Sequence, residues 1–300
     1  MSTRVLVTGA AGQVGVDLVD VLSGRVPPGG DPSWLPDGRV VASDEFEVVG
    51  VTHHELDIAD STAVEKAFDM VRPDAVVNLA AYTAVDRAES DRETCFAIND
   101  EGTGHLSRSA ERVGAHFITV STDYVFDGLK GAAYEVDDTK HPQSVYGASK
   151  AAGEDRCRPD DTIVRTSWVM GVRGRNIAHV VAARATAGET LRFVNDQRGT
   201  VTAAADLARA LATFVRERPG GIWHVANTGD ATWFEVASFV AEKSSGRRDA
   251  VVSIATSELS PAPAAVRPPR SDLSLRKWLA AGYGAPPTWQ EALERLLSNG

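Results

Sequence analysis

Only two cysteines, Cys95 and Cys157, occur in 300 residues, and neither stands at metal-ligand spacing from a partner. A disulfide framework and a zinc site are therefore not expected. Basic residues are outnumbered, 31 against 41 acidic ones, for a formal net charge of -10. A general nucleic-acid or anionic-membrane binder needs concentrated cations against phosphate, so neither partner is expected, and an anionic ligand must be held by local basic groups. No apolar run approaches the roughly 18 residues of a membrane span. The chain enters an expected strand by Arg4 without the regions of a secretory signal, so a reducing cytoplasm is the expected location. What is present is 43% hydrophobic residues, enough for a large core in one large domain or two modest ones sharing an interface.

Short apolar runs alternate with helical segments: Val5 to Val7, Val48 to Val51, Ala75 to Leu79, Phe117 to Val120 and Ile163-Val164. That rhythm predicts βαβ units and a parallel sheet. After the first run come Gly9, Gly12 and Gly15, then Val16, Leu18, Val19 and Leu22 at helical spacing. A strand, a glycine turn and a helix in this order suit a dinucleotide, because no Cβ keeps the pyrophosphate from the N–H groups at the helix start. The stretch from Gly24 to Gly38 carries four prolines and four glycines and is expected to be a surface insertion. After the second strand stand Thr52-His53-His54, with no acidic residue directly there to repel a 2′-phosphate. NADPH is the expected cofactor, with NADH possible, and Thr52 or His53 is placed to meet the phosphate. Asp57 fits the adenine edge or a turn equally well. Asn78 to Thr83 ends the third strand in small residues that leave room for a cofactor, and Val85 in the loop beyond is a candidate substrate contact.

Tyr146 and Lys150 are four apart and share one face of an expected helix. A free phenol titrates near about 10. A fixed charge about 4.5 Å away, at an effective dielectric of about 20, is worth roughly 3.7 kcal/mol and would make Tyr146 a usable acid near neutral pH. After Trp168 helical segments dominate, with candidates at 178–187, 203–215 and 234–242. The expected architecture is an α/β doubly wound parallel sheet over 1–170 and a smaller, mostly helical lobe over 171–300, with some segments returning to the sheet.

Gly9 to Gly15, Asn78 to Thr83, Ser121 to Gly128, Tyr146 to Lys150 with Ala152-Gly153-Glu154, Arg165 to Trp168, Asn195 to Gln197, and Arg267-Pro268 through Ser271 stand in an order that resembles the extended short-chain dehydrogenase/reductases, and within them the dTDP-4-dehydrorhamnose reductases. Related 4,6-dehydratases carry Asp-Glu where this chain has Asp123-Tyr124, which disfavours dehydration.

The resemblance implies NAD(P)H-dependent reduction of the 4-keto group of a dTDP-4-keto-6-deoxy-L-hexose to dTDP-L-rhamnose. It implies Tyr146 as proton donor, Lys150 as the charge that tunes it and holds the nicotinamide ribose, and Thr122 as the hydroxyl partner. Cofactor contacts are implied at Gly9, Gly12, Gln13, Val14, Gly15, Thr52, Asp57, Ile58, Ala80, Ala81, Tyr82, Tyr146 and Lys150. Substrate contacts are implied at Val85, Thr122, Asp123, Trp168, and Arg267 or Arg270 on the diphosphate. Some relatives bind magnesium at a dimer contact. Asp17 stands near the first such position but Ala205 where a second would fall, so no metal is expected, and a homodimer stays compatible with the sequence. A reductase of a related dTDP-ketosugar, of the dihydrostreptose type, would use the same residues. The regulatory subunit of methionine adenosyltransferase also resembles this family but serves as a binding partner; the intact Thr122, Tyr146 and Lys150 point to catalysis.

Overall fold

The computed structural model describes residues 2–31, 33–34 and 41–300. Its first half runs β1 (Thr3–Thr8), α1 (Gln13–Leu22), β2 (Phe46–Val51), α2 (Ser61–Val71), β3 (Ala75–Asn78), the short α3 (Val85–Ala88) and α4 (Arg92–Phe96), α5 (Thr103–Val113), β4 (His116–Thr122), α6 (Val145–Asp155) and β5 (Thr162–Thr166). The second half continues with β6 (Val169–Met170), α7 (Ile177–Thr186), β7 (Leu191–Val194), β8 (Arg198–Gly199), β9 (Thr202–Ala203), α8 (Ala204–Glu217), β10 (Gly221–His224), β11 (Ala231–Thr232), α9 (Trp233–Ser245), β12 (Val251–Ile254), α10 (Arg276–Ala280) and α11 (Trp289–Asn299).

Six strands pair in parallel in the order β10-β5-β4-β3-β1-β2. The order reverses between β1 and β3, and a crevice opens there beyond the carboxyl ends of the strands. Alternation along β1 sends Val5 and Val7 to one face and Leu6 to the other. The first face packs on α1 and α8 through Leu18, Leu207, Leu211 and Phe214. The second packs on α2 and α5 through Phe68 and Leu106. α2 starts where the Asp60 side chain accepts from the Thr62 and Ala63 N–H groups, a cap worth about 1 kcal/mol.

A separate core joins α7, α9 and α11, with Val181, Val240 and Leu293 inside it. Two-stranded pairs β7 with β12, β8 with β11, and β6 with β9 brace this lobe, while α8 and β10 return to the sheet. The doubly wound parallel sheet with a smaller lobe is the architecture the apolar rhythm implied.

The expected surface insertion needs a correction. Trp34 is only 8% exposed and joins the sheet's core, 5.7 Å from the Trp278 ring, and the Arg295 guanidinium donates to the Gly29 carbonyl at 2.8 Å. An indole amid glycines and prolines is a large apolar anchor, and it docks the loop. Pro32 and residues 35–38 of that stretch lie outside the described residues.

Candidate functional site

Gly9 leaves β1 with φ of +67°, and a Cβ there would lie 2.6 Å from the Leu79 carbonyl carbon. β1 and β3 close so tightly at the reversal point that only glycine fits. A Cβ on Gly15 would meet the Gly9 carbonyl oxygen at 2.3 Å, so the helix start is held against the turn. The open N–H groups of that helix face a cleft of about 950 Å³. This cradle has the shape and the donors a dinucleotide pyrophosphate needs.

Gly12, Gln13, Val14, Thr52, Asp57, Ile58, Ala80, Ala81 and Val85 line the same cleft, as do Thr122, Asp123, Tyr146, Lys150 and Trp168. The Gln13 side chain also accepts from the Gly171 N–H and from the Asn176 amide, both at 3.0 Å, and so stitches the lobe to the glycine turn. Asp57 makes a local turn as well, accepting from the Ala59 N–H at 3.0 Å.

α6 begins at Ser144, whose side chain accepts from the Gly147 N–H, and this cap sets Tyr146 and Lys150 on the first turns beside the end of β4. Lys150 donates to the Val120 carbonyl at 2.7 Å. Burial lowers its ammonium to about 8, opposed first by the Glu154 carboxylate. Burial pushes the Tyr146 phenol up, and a hydrogen bond with Thr122 opposes this. The lysine charge is expected to lower this phenol; in the structure desolvation of the part-buried ring leads instead, and the shift runs upward. Thr122 donates to Asp123 at 3.0 Å and accepts from the Tyr124 N–H at 3.2 Å. Asp123 is 1% exposed, and burial raises it to about 6 against hydrogen bonds from Ser271 and Thr122.

Below this group Ser121 donates to Glu154 at 2.5 Å, and Arg165 grips the same carboxylate at 2.7 and 2.9 Å. The pair is buried, and it locks the end of β4 to α6. Trp168 stacks on Trp233 at 3.9 Å between ring centroids, and its φ of +43° is strained for a bulky residue.

Three expected contacts fall elsewhere. Tyr82 turns from the cleft: its N–H donates to Asn99 at 2.9 Å and its hydroxyl to Asp91 at 3.0 Å. Arg270 is taken by Asp272 at 2.7 Å and by the Gly131 carbonyl at 3.0 Å. Arg267 pairs with Asp86 at 2.6 and 2.9 Å and lines a neighbouring cavity of about 660 Å³ with Arg192, Phe193 and Trp233. Sequence reasoning missed Trp233, which no local pattern marks, and Ser271, which lies inside the Arg-Pro-Pro-Arg-Ser run. It also missed Glu55: its carboxylate accepts from both the Thr52 N–H and hydroxyl, so an acidic group does reach the end of β2. Asp17 is buried and faces the Arg173 guanidinium at 3.7 Å.

The family model described as RmlD substrate binding domain matches residues 38–300. The chain belongs to this family. It is 38% identical to a dTDP-4-dehydrorhamnose reductase of Streptomyces griseus, over 97% of this chain and 91% of the relative. It is 37% identical to the spore coat polysaccharide biosynthesis protein SpsK of Bacillus subtilis, over 98% and 97%. Among solved structures, the dTDP-4-dehydrorhamnose reductase of Bacillus anthracis in complex with NADP superposes with a TM-score of 0.87 at 30% identity, covering 100% of both chains.

Proposed function

We propose that this chain reduces the 4-keto group of a dTDP-4-keto-6-deoxy-L-hexose to give dTDP-L-rhamnose, with NADPH as the reductant and NADH accepted. The observation that carries the reading is the meeting of Tyr146, Thr122 and Lys150 in one cleft with the glycine turn. When bound, the nicotinamide supplies the hydride, and the protein supplies position and protons.

The backbone N–H groups after Gly12 hold the pyrophosphate. Lys150 holds the ribose hydroxyls with its ammonium, which is itself oriented by the Val120 carbonyl. Tyr146 carries the proton on its phenolic oxygen and gives it to the ketone oxygen as that atom becomes a hydroxyl. Thr122 stands beside the phenol, and its hydroxyl, turned from Asp123 to the tyrosine oxygen, would stabilise charge there as the proton leaves. Asp123, fixed by Ser271, orients the sugar hydroxyls, and Val85 and the Trp168 ring give the deoxysugar apolar walls. Arg267, which lines the neighbouring cavity, and Arg270 would meet the diphosphate only by loosening their pairs with Asp86 and Asp272. Among the described residues no helix is long and apolar enough to cross a membrane. The reading takes the chain to work in a reducing cytoplasm, where unpaired thiols such as Cys95 and Cys157 persist.

The test is product analysis with dTDP-4-keto-6-deoxyglucose, with and without a 3,5-epimerase. Formation of dTDP-L-rhamnose only when the epimerase is present supports the assignment. Equal reduction without the epimerase would move the substrate to another dTDP-ketosugar.

A further inference from the structure

At the carboxyl end of β2 the chain turns sharply. The Glu55 and Leu56 N–H groups both donate to the Thr52 carbonyl, at 3.1 and 3.0 Å. This fold-back brings the Glu55 carboxylate onto Thr52, where one oxygen, Oε2, accepts from the backbone N–H at 2.8 Å and from the hydroxyl at 2.9 Å. Thr52 and His53 line the cleft, and the Ala10 N–H of the glycine turn donates to Val51 at 3.1 Å. The fold-back therefore stands beside the dinucleotide cradle, at the strand end where a doubly wound sheet reads the adenosine ribose.

The two groups best placed to donate to a 2′-phosphate, the Thr52 N–H and hydroxyl, are thus already spent on an anion. A 2′-phosphate entering here must displace Glu55 or sit against its charge. A ribose 2′-hydroxyl instead is a donor and meets an acceptor. We infer that Glu55 is a cofactor-discriminating residue that restrains the preference for NADPH and keeps NADH competitive, taking from three positions along the chain the role that a strand-end acid plays in NAD-specific sheets. The inference rests on the reductase reading for its cofactor class. Glu55 is exposed, and the hydrogen bonds from the Thr52 backbone and then its side chain hold it below the usual carboxylate range. It is charged at any working pH.

The bland reading is that Glu55 only caps the turn, since a threonine followed three residues later by glutamate is a common local motif. Binding constants separate the two without any turnover. Titrations of the full chain with NADPH, NADH, 2′,5′-ADP and 5′-ADP are run on wild type, Glu55→Gln and Glu55→Ser. We expect both variants to shift the ratio of affinities toward NADPH, and toward 2′,5′-ADP, by roughly fivefold or more at low salt, with the shift shrinking as salt screens the charge. A ratio within twofold of wild type, or loss of the thermal transition in both variants, would leave only the cap and overturn the inference. An unchanged ratio alongside ketosugar turnover removes this inference and leaves the reductase standing. Wild type that binds neither dinucleotide sinks both.

Discussion

Lys150 in α6 donates its ammonium hydrogen bond to the Val120 carbonyl in β4, two residues before Thr122, at 2.7 Å. This contact fixes the distance between the helix that carries Tyr146 and the strand that carries Thr122. Burial holds the ammonium to about 8, so it is charged below that pH and neutral above it. Tight dinucleotide binding to the free enzyme should therefore fall away as pH rises through about 8. Titrating NADPH from pH 6.5 to pH 9.5 checks this. Lys150→Met should flatten the profile and cut turnover by roughly 10²-fold or more.

Asp123 ties stability to pH. Burial raises its carboxyl from 3.8 to about 6, so between those pH values the folded chain holds a proton the unfolded chain has lost. Stability from this group is therefore highest below the unfolded value and declines as pH rises through about 6. Asp123→Asn removes that dependence. Thermal melts should show the variant gaining on wild type between pH 4.5 and pH 7.5, even as its turnover falls. A difference in melting temperature that stays constant with pH would contradict the raised carboxyl.

Trp34 predicts the opposite separation. Its indole packs into the sheet's core, far in sequence from Thr122, Tyr146 and Lys150. Trp34→Ala should cost about 3 kcal/mol of stability and leave the dissociation constant for NADPH unchanged. Denaturant melts and a cofactor titration on the same sample test both halves.

Five of the sheet's six strands were legible because each is a short apolar run beside a turn signal; β10, Gly-Ile-Trp-His, falls in the stretch after Trp168 where only helices were read. Tyr146 with Lys150, and Gly9 with Gly15, were legible because their geometry is local: one turn of helix, and a tight turn that runs into the first turn of α1. Arg267 could not be read in this way. Its partner Asp86 lies 181 residues away, and nothing near either residue announces the pair. Arg270 was readable in principle, since Asp272 stands two residues on. The charge state of Tyr146 was not readable, because spacing sets which charges are near but only the packed structure sets the desolvation that outweighs them. Trp34 shows the same limit, as loop composition described its backbone while one side chain decided where the loop goes.

The proposed reaction turns on Tyr146 giving the proton that completes reduction of a sugar-nucleotide ketone. Its most direct test is NADPH oxidation with dTDP-4-keto-6-deoxyglucose and a 3,5-epimerase, on wild type and Tyr146→Phe, with the Kd for NADPH measured on both. We expect an unchanged Kd and turnover lower by roughly 10²- to 10⁴-fold in the variant. Near-normal turnover by Tyr146→Phe would contradict it.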